Sequence, residues 1–259
     1  MVTSCITVHN VTFSYNGIKA LSGVSFDVRD GEFLGIIGPN GSGKTTLLRC
    51  IAGILLPEQG EIYINKRNIK DMKRREVAKV IAVVPQLTPV DFAFTVREMV
   101  LMGRTPHLRR FSSESKEDLD AVDRAMRETG ISALADRTFD ELSGGERQKV
   151  VIAQALAQGS KILLMDEPTQ HLDISAQYQI LELVKRLNMS GRITVISVLH
   201  DLNLASRYSD SLILMKNGKI YAKGSVESVL TPENISACFG VHAVVYKHHT
   251  PGIHIIPLP

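Results

Sequence analysis

The sequence predicts an α/β protein with a mainly parallel sheet, an antiparallel β portion at the N-terminus and a helical segment inserted into the core. Short runs with period-two alternation of apolar residues fill the first part of the chain. Further along, apolar runs typical of buried strands alternate with helical patterns. These strand runs disappear between residues 88 and 159, where helical patterns replace them. The chain therefore reads as one domain over residues 1–259, with residues 88–159 as a helical subdomain.

The antiparallel portion is predicted from residues 6–13 and 24–28. Both runs alternate apolar and polar residues, as half-buried strands do. The turn residues Asn16-Gly17 and Asp30-Gly31 break the pattern after each run. Neighbouring strands joined by such short turns pair in antiparallel fashion.

The parallel core begins at residue 33. The apolar run 33–37 enters a glycine-rich loop, and residues 45–52 follow at helical spacing. Similar strand runs are found at residues 80–84, 162–165, 193–199 and 212–215. After Asp173 an apolar stripe that begins at Ile174 predicts a long helix with one face packed on the sheet.

Composition excludes several classes of protein. With 44% hydrophobic and 22% charged residues among 259, the chain is expected to be globular and not disordered. A formal charge of +3 is too small to predict nucleic-acid binding. The three cysteines form no Cys-x-x-Cys pair, which favours a reducing compartment over a disulfide framework or a zinc site. Because residues 1–10 show no leader pattern and apolar runs stay below the ~18 residues of a membrane helix, we expect a cytoplasmic protein.

One loop has the sequence of a phosphate-binding loop. It matches G-x-x-x-x-G-K-[ST] between a predicted strand and a predicted helix, through Gly38, Pro39, Asn40, Gly41, Ser42, Gly43, Lys44 and Thr45. Glycines let backbone N–H groups surround a phosphate, and the helix N-terminus adds partial positive charge. Lys44 can reach the outer phosphates, while the Thr45 hydroxyl can bind Mg²⁺. A glycine-rich turn without ligand is the much weaker alternative.

Two carboxylates follow the apolar run 162–165. Asp166, at the strand end, suits the Mg²⁺ shell, and Glu167 suits accepting a proton from an attacking water. A buried strand that simply ends in exposed acids is an equally common pattern. A GTPase is excluded at residues 65–68, because Asn68 stands where a carboxylate would bind the guanine edge.

A second glycine pair lies at residues 142–148. Ser143 and Glu146 have the spacing of a capping box ahead of an apolar helix, which is a purely structural interpretation. Gly144 and Gly145 lower helix propensity by about 1 kcal/mol each, yet they expose backbone N–H groups at a helix start. The segment therefore also has the features of a second anion site.

These motifs, in this order, resemble those of ABC ATPases over almost the whole chain. Residues 142–148 look like the LSGGQ-type signature, between a Walker A loop at 38–45 and a Walker B strand ending at Asp166 and Glu167. The resemblance implies the P-loop NTPase fold and MgATP hydrolysis.

The resemblance also implies roles for single residues. It assigns catalysis to Glu167, His200 and Lys44. It assigns ATP binding to Tyr15 and Thr46 beside the phosphate loop, with Tyr15 stacked on adenine. It assigns Mg²⁺ to Thr45, to the Q-loop glutamine Gln86 and to Asp166.

In this family two copies pair head to tail, so that each ATP lies between the Walker A loop of one and the signature of the other. The residues implied to contact ATP across that interface are Ser143, Gly144, Gly145 and Asp173. Gln170 and His171 stand where the family often has small residues, which leaves the contacts of His171 open. The implied partners are a second copy, membrane permease subunits and, indirectly, a substrate-binding protein, with no nucleic acid and with a peripheral position on the cytoplasmic face of the membrane.

Residues 102–108 resemble a segment of the ATPases that serve importers of chelated iron, haem or cobalamin. The alternatives are an ABC ATPase acting on nucleic acid or ribosomes, and the subunit of an exporter. Nucleic-acid members of the family often carry long coiled-coil insertions, and exporters are often fused to membrane helices. The short helical insertion predicted here matches neither class, so the importer is favoured. Arg104, Arg109 and Arg110 form a basic cluster that we expect to contact the permease, a solvated basic loop being the alternative.

Overall fold

The computed structural model describes residues 4–86, 93–108, 113–190, 193–247 and 253–258. Contacts divide the chain into two compact units. The first unit comprises residues 1–72 and 194–259, and the second comprises residues 73–193. The assignment of residues 88–159 as a helical subdomain stays a prediction.

The helices and strands alternate along much of the chain. The first unit begins with β1 (Ser4–Tyr15), β2 (Ile18–Arg29), β3 (Phe33–Ile37), α1 (Lys44–Ile51), β4 (Gln59–Ile64) and β5 (Arg67–Asn68). The second unit contains α2 (Arg74–Val80), β6 (Ile81–Val84), α3 (Val96–Leu101), α4 (Lys116–Thr129), α5 (Gly144–Ala157), β7 (Ile162–Asp166) and α6 (Ile174–Met189). The chain then completes the first unit with β8 (Thr194–Val198), α7 (Leu202–Tyr208), β9 (Ser211–Lys216), β10 (Lys219–Gly224), α8 (Val226–Val229), α9 (Pro232–Phe239), β11 (Ala243–Lys247) and β12 (Ile253–Pro257).

The predicted antiparallel portion is confirmed as a sheet in the order β2-β1-β4-β5. Asn16-Gly17 joins β1 to β2 with φ of 48° and 83°, the pair of positive values that a type I′ hairpin turn requires. Asn65-Lys66 joins β4 to β5 in the same way, with φ of 47° and 67°. Residues 65–68 are therefore a hairpin, which agrees with the rejection of a guanine-binding loop.

The mainly parallel core is also confirmed. In the first unit the strand order is β10-β9-β3-β8, with β3 parallel to both β8 and β9. In the second unit β6 is parallel to β7. Every residue of β3, β7 and β8 is buried, as expected for strands covered on both faces.

Helices α3, α4 and α5 pack on one another in the second unit through apolar faces that include Val100, Met126 and Val150. The buried face of α6 begins at Ile180 and continues through Leu187 at helical spacing. The prediction that Ile174 belongs to this face is wrong, because its side chain is 75% exposed. Among the described residues, no helix is both long and apolar enough to cross a bilayer.

Arg104 lies inside the second unit and not on its surface. Its side chain is only 7% exposed, and its Nε donates to Asp118 Oδ1 at 2.8 Å. Hydrogen bonds from Ser115, followed by that from Arg104, lower the pKa of Asp118 to about 2. The expectation that Arg104 contacts a permease is therefore wrong, because its guanidinium is committed to this buried ion pair. Arg109 and Arg110 lie outside the described residues.

The buried pair generates a stability prediction. Arg104→Ala should lower the free energy of unfolding by about 3 to 5 kcal/mol, because it leaves the Asp118 carboxylate buried without its charged partner. Arg97→Ala is the matched control: the Arg97–Asp123 pair has a similar distance of 2.6 Å, but its side chains are 45% and 42% exposed. That loss should stay below about 1 kcal/mol. Urea denaturation of both variants measures the difference, and equal losses would contradict the structural role of Arg104.

Candidate functional site

The phosphate loop has a backbone that only glycine adopts easily. Gly38, Gly41 and Gly43 have φ of 148°, 75° and 99°. A Cβ atom added to Gly38 would lie 2.3 Å from the Met215 carbonyl oxygen, and one added to Gly43 would lie 2.4 Å from that of Ala20. Glycine is therefore required at both ends of the loop, both for its conformation and for the space.

Two polar side chains of this loop indicate that it binds a ligand. Lys44 is buried, and its Nζ donates to the carbonyl oxygens of Gly38 at 2.8 Å and Pro39 at 3.0 Å. Ser42 is 2% exposed, and its hydroxyl has no hydrogen-bond partner within the described part of the chain. A buried hydroxyl without a hydrogen-bond partner destabilises the folded state. The hydroxyl of Ser42 is therefore expected to bind a ligand such as an anion in this loop.

Two further predicted residues lie near this loop in the first unit. Ile36 of β3 is opposite Val198 of β8, so Gly38 and His200 leave the sheet at the same edge, each two residues further on. The histidine side chain is exposed. Tyr15 is opposite Ile18 in the β1–β2 hairpin, and β2 continues to Ala20, which borders Gly43. The Tyr15 ring is 42% exposed and stands edge-on to Phe13.

The second unit brings Gln86 and Glu167 together. Val84 of β6 is opposite Met165 of β7, so both residues follow the same edge of the parallel pair. Gln86 Nε2 donates to Glu167 Oε2 at 2.9 Å and also to Gln170 Oε1. A carboxylate can only accept, so this contact fixes the orientation of the Gln86 amide. Gln170 is absent from the predicted site residues, since no motif at that position indicates the contact.

Glu167 has an unusual backbone for a residue with a side chain. Its φ is 54°, in the left-handed region, while the preceding Asp166 ends β7 and is 9% exposed. This conformation costs about 1 to 2 kcal/mol relative to an ordinary one. Such strain is concentrated at functional sites, where it orients a side chain.

The capping box at the start of α5 is present. Ser143 Oγ donates to Glu146 Oε2 at 2.6 Å, and the same oxygen accepts from the Ser143 backbone N–H at 2.9 Å. These bonds lower the pKa of Glu146. Because Ser143 serves as the cap, the structural interpretation of the signature is correct as far as it goes.

The glycines of the signature have a packing role as well. A Cβ on Gly144 would lie 3.2 Å from Leu172 Cδ2, and one on Gly145 would lie 3.1 Å from Ala176 Cβ. Asp173 caps α6 through a 2.8 Å bond from the Ala176 N–H. The start of α5 therefore packs closely on the segment that begins α6.

The predicted residues are shared between the two units. The first unit carries Tyr15, the phosphate loop, Thr46 and His200. The second carries Gln86, Ser143, Gly144, Gly145, Asp166, Glu167 and Asp173. The three predicted Mg²⁺ ligands are thus a hydroxyl in one unit and an amide and a carboxylate in the other, all oxygen donors of the kind that Mg²⁺ prefers.

The loop geometry generates a prediction for two glycines of similar φ. Gly41→Ala should cost about 1 kcal/mol of folding stability, since the conformation is strained but nothing lies within 4 Å of the added Cβ. Gly43→Ala should cost about 1 to 3 kcal/mol more, because its Cβ overlaps the Ala20 carbonyl. Thermal and urea unfolding without nucleotide measure both losses. Equal losses would mean that the hairpin does not press on the loop.

Comparison with known proteins gives consistent relatives. The chain is 41% identical to the cobalamin import ATP-binding protein BtuD of Halobacterium salinarum, over 94% of this chain and 61% of the relative. It is 39% identical to the ferric enterobactin transport ATP-binding protein FepC of Escherichia coli, over 95% and 91% of the two chains. It is 42% identical to the hemin import ATP-binding protein HmuV of Gloeobacter violaceus, over 92% and 88%. The chain thus spans about three fifths of the Halobacterium protein.

Solved structures agree with these relatives. A chain described as a metal-chelate type ABC transporter in an inward-facing conformation is similar with a TM-score of 0.87 and 31% identity, over 99% of this chain and 98% of that one. The dimeric ATP-binding cassette MJ0796 bound to ADP and phosphate is similar with a TM-score of 0.72 and 31% identity, over 85% and 98%. Residues 21–170 match the family model described as ABC transporter. The chain therefore belongs to the ABC transporter family.

Proposed function

We propose that this chain is the ATP-binding and ATP-hydrolysing subunit of an ABC importer. The observation that carries the proposal is the phosphate loop, which combines a glycine backbone, a buried lysine and a buried hydroxyl that no described residue satisfies. The loop stands between a buried strand and the start of α1, where backbone N–H groups favour an anion.

ATP binding would use polar side chains of the loop that are already buried. The Lys44 ammonium would transfer hydrogen bonds from the Gly38 and Pro39 carbonyls to the outer phosphates. Ser42 Oγ would gain a partner, and Thr46 would contribute near the start of α1. Tyr15, exposed at the hairpin, would stack on the adenine.

Hydrolysis would need Glu167 as the general base. Gln86 donates to Oε2 of this carboxylate and thereby orients it. Because a carboxylate accepts several hydrogen bonds, this contact does not prevent Glu167 from accepting a proton from water. His200 would hydrogen-bond the terminal phosphate from the end of β8. When bound, Mg²⁺ would neutralise phosphate charge, and Thr45, Gln86 and Asp166 are the residues that we assign to its shell.

A second copy of the chain would complete the site. Ser143, Gly144 and Gly145 would offer the N-terminus of α5 to an ATP held by the partner, and Asp173 would lie beside them. The dimeric cassette among the similar structures supports this arrangement. ATP would then join two copies, and hydrolysis would release them.

The transported substrate would be a chelated iron, haem or cobalamin. The three relatives are named for cobalamin import, ferric enterobactin transport and hemin import, and residues 102–108 resemble a segment of such ATPases. The chain would sit on the cytoplasmic face of the membrane, bound to permease subunits, with a substrate-binding protein on the other side.

Replacing the base tests the chemistry. Glu167→Gln should retain MgATP binding and dimerisation but hydrolyse ATP about 10²- to 10⁴-fold more slowly, because the amide cannot accept the proton. Glu117→Gln, at an exposed position of α4, is the control and should leave turnover unchanged. Steady-state ATPase assays and nucleotide titrations measure both. Turnover within a few-fold of wild type would assign the base elsewhere.

Mixed dimers test the head-to-tail arrangement. Lys44→Ala and Ser143→Arg should each abolish hydrolysis alone, since each damages both composite sites of its homodimer. In a mixture, the heterodimer keeps one site with an intact loop from one chain and an intact signature from the other. ATPase activity should therefore reappear and peak near equal ratios. If verified heterodimers stay inactive, the two motifs do not act across an interface.

Gene deletion tests the substrate class. A strain that lacks this chain should take up chelated iron, haem or cobalamin poorly, and a wild-type copy should restore uptake. A Glu167→Gln copy should not, which links uptake to hydrolysis. Normal uptake of all three compounds would remove the substrate assignment and leave the proposed ATPase activity unaffected.

A further inference from the structure

Residues 102–108, which we call the brace, contact the C-terminal end of α5. A Cβ on Gly103 would lie 2.1 Å from the Gln154 carbonyl oxygen, so the brace touches the helix backbone itself. Arg104 Nη1 donates to the Ala157 carbonyl at 2.7 Å, and His107 Nε2 lies 2.8 Å from that of Gln158. Since a carbonyl only accepts, His107 must carry its proton on Nε2.

These contacts satisfy groups that a helix cannot satisfy alone. The last four carbonyls of an α-helix have no partner within it, and the negative end of the helix dipole favours a nearby cation. The guanidinium of Arg104 and the imidazole N–H of His107 supply partners for the last two carbonyls of the α5 end. The end of α5 is therefore fixed by specific bonds rather than by apolar packing alone.

The brace is itself held on its far side. Arg75 of α2 donates through Nε to the Pro106 carbonyl at 2.7 Å and through Nη2 to the Leu108 carbonyl. The Gln158 side chain donates to the Ile81 carbonyl at 2.7 Å, and also to that of Ala78. With the buried Arg104–Asp118 pair, the brace links the end of α5 to α2 and α4, and Gln158 itself links that end to the start of β6.

The signature lies at the opposite end of the same helix. α5 has 14 residues, so its ends are about 21 Å apart. Hydrogen bonds run without interruption along the helix, so an axial shift at its last turn is transmitted to its first turn. At that first turn Gly144 and Gly145 would have Cβ positions 3.2 and 3.1 Å from their neighbours, which leaves little tolerance for a shift.

We propose that the brace sets the axial position of α5 and thereby positions the signature, with His107 as a positioning residue. The proposal deepens the proposed function, because it concerns the ATP that the signature contacts on a second copy. It gives residues 102–108 a role in the ATP site of the partner, although the brace touches no nucleotide.

His107 is a better test than Arg104, because its loss removes one hydrogen bond at a half-buried position and leaves the ion pair intact. His107→Ala should remove that bond, and His107→Gln should restore it, because the amide Nε2–H reaches a similar position. His242→Ala, an exposed histidine of the first unit, is the control.

The decisive experiment places His107→Ala in one chain of the complementing heterodimer. The working site uses the loop of the Ser143→Arg chain and the signature of the Lys44→Ala chain. On the Lys44→Ala chain, the substitution should lower ATPase activity about three- to tenfold, the effect of one hydrogen bond. On the Ser143→Arg chain it should leave the activity unchanged, and His107→Gln should be near wild type on either chain. Equal losses in both placements, or no loss in either, would overturn the proposal.

Hydrogen exchange on the nucleotide-free chain provides a test that needs no dimer. His107→Ala should speed exchange in peptides covering residues 143–150 as well as in those covering 154–158, whereas His107→Gln and His242→Ala should not. Faster exchange confined to the brace and the last turn of α5 would overturn the proposal. If the Lys44→Ala and Ser143→Arg mixture is inactive even with His107 intact, the proposed head-to-tail dimer is wrong. The hydrogen-exchange measurement then tests the role of the brace by itself.

Discussion

A parallel strand that is buried on both faces can present polar groups only where it ends, and this constraint determines where the candidate site residues lie. β3 and β8 in the first unit, and β7 in the second, are buried throughout. Parallel partners in register finish at the same edge, so Gly38 emerges beside His200, and Gln86 beside Glu167. The apolar runs in the sequence and the polar residues that follow them therefore have one cause, which is the burial of parallel strands on both faces.

Much of the fold could be predicted from the sequence because its signals are local. The run 33–37 is β3 as predicted, and the helical spacing at residues 45–52 corresponds to α1, because strand and helix periodicities are visible within a few residues. Arg104 was misplaced for the opposite reason. Arg109 and Arg110 lie close to it in the sequence and suggest an exposed basic cluster, whereas its partners Asp118 and the Ala157 carbonyl are 14 and 53 residues further along. Only the folded chain brings them together.

In the candidate site, too, local features could be predicted from the sequence and contacts between distant residues could not. Motif spacing predicted the phosphate loop and the capping box, since each is read within eight residues. It could not predict the contact of Gln86 with Glu167, which are 81 residues apart, nor the left-handed backbone of Glu167. The antiparallel pair of β11 and β12 was also not predicted.

The first unit is assembled from two distant stretches of chain, and this determines the order in which the protein can fold as it is synthesised. β3 is made early, but its parallel partners β8 and β9 follow about 160 and 180 residues later. At about 5 to 20 residues per second, β3 waits roughly 10 to 30 s on the ribosome before either partner exists. The second unit is continuous from residue 73 to 193. Translation therefore delivers all of the second unit before the sheet of the first can close, and the apolar surface of β3 must be shielded from other nascent chains during that interval.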